Sequence, residues 1–105
     1  MTYFDEPTET MPRAQLAALQ FNKLQEMMTH LWGKNQFYTS KWKAAGVQPS
    51  DIRSLADLAR LPLTQKSELM DDQAAHAPFG TNLTYPLEAY VRMHQTSGTT
   101  GVPLK

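Results

Sequence analysis

Near one end of the chain, Gly98 and Gly101 stand among four hydroxyl residues, Thr96, Ser97, Thr99 and Thr100. Glycine permits positive φ and lets a backbone approach a ligand closely. Successive N–H groups in such a turn can form a concave anion site. The hydroxyls can donate further hydrogen bonds to phosphate oxygens, and charge-assisted bonds are about twice as strong as neutral ones. The chemistry this spacing suits is the holding of a phosphate. A Gly/Thr-rich surface loop would have the same composition, and on composition alone the two readings are equal. A Walker A loop does not fit, because the glycines are too close together and no Lys-Ser or Lys-Thr follows at the required position.

Other reactive side chains offer less. His94 precedes the loop and reads as a structural histidine on a strand face rather than a base. His30 and His76 share no metal-ligand spacing with it, which argues against zinc. The chain has no cysteine, so a thiolate metal site, a cysteine nucleophile and a disulfide framework are all excluded within it. Lys66 reads as a solvent-facing helix residue, and Asp71-Asp72 as a helix-end pair with no partner carboxylate. No catalytic residue and no metal ligand is assigned.

The elements that must position the loop are mostly helical. Residues 1–12 carry Pro7 and Pro12 with little periodicity and read as an extended or loosely docked arm. From Arg13, residues Ala17, Phe21, Leu24, Met28 and Leu31 recur at steps of four and three, lining one core-facing side of a helix that Gly33 ends. A second helix is predicted over 36–45, with Asn35 as N-cap and Gly46 just past its end. Its Phe37, Tyr38 and Trp42 are read as pinning it to the first helix, with an aromatic ligand cage as the sharper alternative. Pro49-Ser50-Asp51 marks a turn. Ser54 and Asp57 resemble a capping box opening a short helix with Leu55, Leu58 and Leu61, which Pro62 stops. Thr64 is expected to cap another, running through Met70.

Residues 76–86 are dense in breakers and read as a loop. Residues 88–96 alternate, with Ala89, Val91, Met93 and Gln95 on one side and Tyr90, Arg92 and His94 on the other, and are predicted to form a strand. A lone strand leaves its backbone groups unpaired, so this one needs a sheet from elsewhere. The fold expected is an α-rich α/β fragment: several short helices, then one strand and a Gly/Thr phosphate loop. It divides into an arm (1–12), a helical subdomain (13–75) and a segment of loop, strand and Gly/Thr loop (76–105).

The 105 residues carry ten Lys plus Arg against ten Asp plus Glu, with 41% hydrophobic and 19% charged residues. That mixture is globular. Zero formal charge gives no field to attract nucleic acid or an anionic membrane. The acidic Met1–Glu6 segment lacks the basic n-region of a signal peptide, and a cytoplasmic protein is expected.

The order Thr96-Ser97-Gly98-Thr99-Thr100-Gly101-Val102-Pro103 resembles the signature of the adenylate-forming superfamily. Upstream, Asn35-Gln36-Phe37-Tyr38, Ala45-Gly46-Val47, Asp51-Ile52, Ser54–Leu58 and Leu61–Lys66 resemble the N-terminal region of phenylacetate-CoA ligases, as does Val91-Arg92-Met93-His94 leading into the loop. The similarity runs from about Asn35 onward and is weaker in the first helix. Many superfamily members place Lys or Arg directly after the Pro, whereas here Leu104 separates Pro103 from Lys105. Lys105 is therefore not counted as a phosphate ligand.

The resemblance implies the N-terminal part of an adenylate-forming ligase fold. It implies that Thr96, Ser97, Gly98, Thr99, Thr100 and Gly101 bind ATP phosphates, with Mg2+ bridging phosphate oxygens. The implied reaction joins an aryl or arylacetic acid to coenzyme A through an acyl-adenylate, releasing AMP and pyrophosphate. In this family the adenylating lysine belongs to a distant C-terminal domain, so the chain is expected to be a fragment that is inactive alone. The rival expectation is a free-standing helical module that interacts with a partner or forms a homodimer.

Overall fold

The computed structural model describes residues 2–98 and 101–105. Among them the regular elements are helical: α1 (Glu6–Glu9), α2 (Arg13–Leu31), α3 (Gln36–Ala44) and α4 (Lys66–Ala75). Three 3-10 turns, Pro49–Asp51, Leu55–Arg60 and Leu87–Ala89, lie between and after them.

Helix α2 forms where the apolar periodicity places it. Met28 is buried, and Phe21, Leu24 and Leu31 pack partly buried around the core. Helix α3 starts at Asn35, whose Oδ1 accepts from the Tyr38 N–H at 2.9 Å. The core lies where α2, α3 and the chain after α3 meet, and consists of Met28, Trp42, Val47 and Ile52. Each such side chain contributes about 1.5–3 kcal/mol by leaving water. Trp42 stacks against Trp32 with centroids 6.4 Å apart and lies 5.8 Å from Tyr38. At 4% exposure Trp42 is spent on this core, and its ring is closed to any ligand.

The short helix expected after Ser54 is a 3-10 turn, and no side chain caps it at Ser54. Asp57 instead accepts from the Arg53 N–H at 2.8 Å, which anchors the turn one residue earlier. Helix α4 begins one residue later than expected and runs five residues further, to Ala75. Glu68 reaches back to the Gln65 N–H at 2.7 Å, giving the Glu half of a capping box at Gln65 rather than Thr64.

The predicted strand and the α/β class are not what the structure shows. Among the described residues no strand or sheet is present. Residues 87–89 turn as a 3-10 helix, and the Tyr90 hydroxyl accepts from the Thr84 and Tyr85 N–H groups at 3.0 and 3.3 Å. No backbone–backbone hydrogen bond among the described residues involves 91–95. Alternation of side chains is a property of one segment, whereas a strand is a property of two paired segments. Among the described residues no second segment pairs with 91–95, so the alternation does not yield a strand. A strand-borne phosphate loop is likewise not formed among the described residues.

No helix among the described residues is long and apolar enough to cross a membrane.

Candidate functional site

The loop region is anchored by polar side chains that arise on α3 and α4. Asn35, 2% exposed, is the first anchor. While its Oδ1 caps α3, its Nδ2 donates to Asn82 Oδ1 at 2.9 Å and Thr84 Oγ1 at 3.2 Å. One amide thus fixes both the helix start and the 82–84 turn. Thr39 supports it from the next turn of α3, accepting from the Gly33 N–H at 2.9 Å and donating to the Leu31 carbonyl at 3.2 Å.

Asp72 on α4 is the second anchor. Its carboxylate accepts from the Thr81 N–H and the Thr81 hydroxyl, each at 2.6 Å. Gly80, with φ +73°, makes the approach possible. A Cβ there would fall within van der Waals contact of Asp72 Oδ2 and 3.1 Å from Gln73 Cγ. At its other end α4 is tied to α3 by Lys41–Glu68, 2.5 Å between Nζ and Oε1. Lys41 beside it, and then the Gln65 N–H, hold the Glu68 carboxyl below its ordinary 4.5.

Residues 96–105 return onto this frame. The Thr96 N–H donates to the Leu104 carbonyl at 2.9 Å, and the Leu104 N–H donates to Thr96 Oγ1 at 2.8 Å. The Gly101 N–H donates to the Gly98 carbonyl at 3.0 Å. Gly98 has φ +72°, and a Cβ on it would meet the Gly101 carbonyl oxygen and Pro103 Cγ, each at 2.8 Å. Only glycine closes the loop in this form.

Of the six sequence-predicted phosphate ligands, Thr96, Ser97 and Gly101 are exposed and Gly98 is half-buried; Thr99 and Thr100 lie outside the described residues. Thr96 Oγ1 accepts from the Leu104 N–H, which leaves its own O–H able to donate. His94 and Lys66 are exposed, and among the described residues no group of three or more His, Cys, Asp or Glu side chains could hold a metal ion. Sequence reasoning missed Asn82, Thr81, Thr84 and Gln73, and dismissed Asp72. Their partners lie 9 to 49 residues away in sequence, beyond any local pattern. Next to the loop's return, a cleft of about 480 Å³ opens between α4 and the 82–94 segment. Leu69, Phe79, Leu83, Leu87, Arg92 and Lys105 are among its walls.

No family model matches the chain. It is 41% identical to the phenylacetate-coenzyme A ligase of Escherichia coli (strain K12) over 98 residues, which are 93% of this chain and 21% of that protein. Against the Thermus thermophilus enzyme of the same name it is 41% identical over 95 residues, 90% of this chain and 20% of the relative. The chain corresponds to one section of the phenylacetate-coenzyme A ligase family. It spans about a fifth of the length of these curated relatives. The fold agrees with that of a solved 2-hydroxyisobutyryl-CoA ligase, crystallised with 2-HIB-AMP and CoA in the thioesterification state. The TM-score is 0.88 at 41% identity, covering 97% of this chain and 22% of that one. Similarity to phenylacetate-CoA ligases therefore takes in at least nine-tenths of the chain, more than the stretch from Asn35 onward that the motifs suggested.

Proposed function

We propose that this chain is the section of an ATP-dependent aryl- or arylacetate-CoA ligase that supplies the ATP phosphate-binding residues Thr96, Ser97, Gly98, Thr99, Thr100 and Gly101. The observation that carries this is identity of about 40% to phenylacetate-CoA ligases along at least 90% of the chain. The complete enzyme would join a carboxylic acid to coenzyme A. The carboxylate attacks the α-phosphate of ATP, pyrophosphate leaves, and the coenzyme A thiol then displaces AMP. This chain's share is positional: glycine N–H groups and hydroxyls hold the leaving phosphates in line, where stabilising developing charge lowers the barrier. Mg2+ would enter with the nucleotide and would neutralise phosphate charge; the described residues do not form a protein-held metal site. The partners are the acid, ATP and coenzyme A, and the setting is the cytoplasm.

Alone, the chain is expected to be inactive, because it spans only about a fifth of the length of the ligases it matches. The test is ATP–pyrophosphate exchange with phenylacetate and other aryl acids on the purified 105-residue protein, alongside an NMR titration with ATP. Absent exchange, with shifts confined to the amides of residues 96–101, is the expected result. Robust exchange would contradict the assignment of partial function, and shifts elsewhere would contradict the phosphate-binding residues.

A further inference from the structure

Leu104 and Lys105 are gripped from two sides. Thr96 pairs with both backbone groups of Leu104, its N–H donating to the carbonyl and its Oγ1 accepting from the N–H. Gln73, on α4, pairs with both backbone groups of Lys105: Nε2 donates to the carbonyl oxygen at 2.6 Å, and Oε1 accepts from the N–H at 3.0 Å. The Gln73 side-chain amide stands in for a neighbouring backbone, satisfying donor and acceptor together. We propose that Gln73 is a positioning residue for the phosphate-binding segment, clamping its return arm to α4 so that Gly98 and Gly101 keep their turn. This rests on the phosphate-binding reading above and adds the element that sets the segment's geometry.

The rigidity of the clamp comes from α4 itself. The helix is fixed at Glu68 by Lys41 and at Asp72 by Thr81, so Gln73 sits one residue beyond a doubly bonded carboxylate. A side chain on a fixed helix can hold an arm that has no regular structure of its own. The Thr96–Leu104 pair closes the loop without fixing it to the body; Gln73 does the fixing. Gly98 sits against Pro103, so a shift of the arm moves Gly98 as well.

The test compares the 105-residue chain with Gln73→Leu, which keeps bulk and removes both partners, and Gln73→Glu, which keeps the acceptor and loses the donor. Amide exchange by NMR is read at Leu104, Lys105, Gly98 and Gly101, with inorganic tripolyphosphate and ATP titrated against each protein. Losing two solvent-accessible hydrogen bonds should speed exchange at Lys105 by about tenfold in Gln73→Leu, and Gln73→Glu, which sets a second carboxylate against that of Lys105, should speed it at least as much. The Gly98 and Gly101 resonances should move, and the Trp42 indole signal should not. Tripolyphosphate should bind several-fold more weakly to Gln73→Leu. Unchanged exchange, or a loosened arm with unchanged tripolyphosphate affinity, overturns the positioning role. If wild type itself gives no response to tripolyphosphate or ATP, the phosphate reading falls and the positioning role with it. Faster exchange in Gln73→Leu would then show separately that Gln73 is only a structural clamp.

Discussion

Replacing Gly80 with alanine should unseat the contact between α4 and the loop that follows it. Two costs arise together. The backbone at φ +73° strains any L-residue by about 1–2 kcal/mol. The new Cβ also lands on Asp72 Oδ2, the atom that accepts the Thr81 N–H at 2.6 Å. The carboxylate must swing away, and a lost hydrogen bond to a charged group is worth about 1.5–3 kcal/mol. The sum is about 2.5–5 kcal/mol, a large share of the ~5–15 kcal/mol that keeps a domain folded. Gly33→Ala is the control, since it shares the positive φ but has nothing within 4 Å of its Cβ, so it should show the strain alone. Urea unfolding followed by the fluorescence of Trp32 and Trp42 reads both variants. With a slope of about 1–3 kcal/mol per molar, the Gly80→Ala midpoint should drop by about 0.5–3 M below that of Gly33→Ala. In an Asp72→Asn background the extra cost should shrink, because the charged acceptor is already gone. Equal midpoints for Gly80→Ala and Gly33→Ala would refute the steric reasoning, and full additivity with Asp72→Asn would refute the role given to the carboxylate.

Asn35→Ala removes a buried amide with three partners and should cost about 2–3 kcal/mol in the same urea assay, with the Asn82 and Thr84 resonances losing their native shifts. Met28→Ala opens a cavity in the centre of the core and should cost about 2–5 kcal/mol by thermal or urea unfolding. Glu68 has its carboxyl held below the ordinary 4.5 by Lys41, so its contribution is present above that pH and is lost as pH falls through the lowered value. Acid unfolding monitored by circular dichroism should therefore lose part of its pH dependence below about 4.5 in Glu68→Gln, and an unchanged acid limb would remove Lys41–Glu68 from the account.

The parts legible in the sequence were those set by local pattern. Helix α2 follows from apolar spacing, and α3 from its N-cap and aromatics, because both bury a face against each other. Helix α4 was underestimated because its second half, Asp71 to Ala75, carries no apolar stripe; it is helical through contacts that Asp72 and Gln73 make with residues 81 and 105. The 88–96 segment alternates without forming a strand, because among the described residues no segment pairs with it as a ladder. At the candidate site, the glycine spacing was visible. The anchors were not, since a polar residue such as Gln73 or Asn82 declares its partner only once the chain has folded back on itself.

The central claim is that this chain is one functional section of a CoA ligase whose phosphate contacts reside in Thr96–Gly101. It is tested most directly by exchanging the matching section of the Escherichia coli phenylacetate-coenzyme A ligase for this chain and measuring phenylacetate-dependent ATP–pyrophosphate exchange. The account predicts that the chimera catalyses exchange and that Gly98→Ala within it abolishes the activity while the protein stays folded. A folded chimera that exchanges pyrophosphate equally well with Gly98→Ala would contradict it, and so would a folded chimera with no exchange at all.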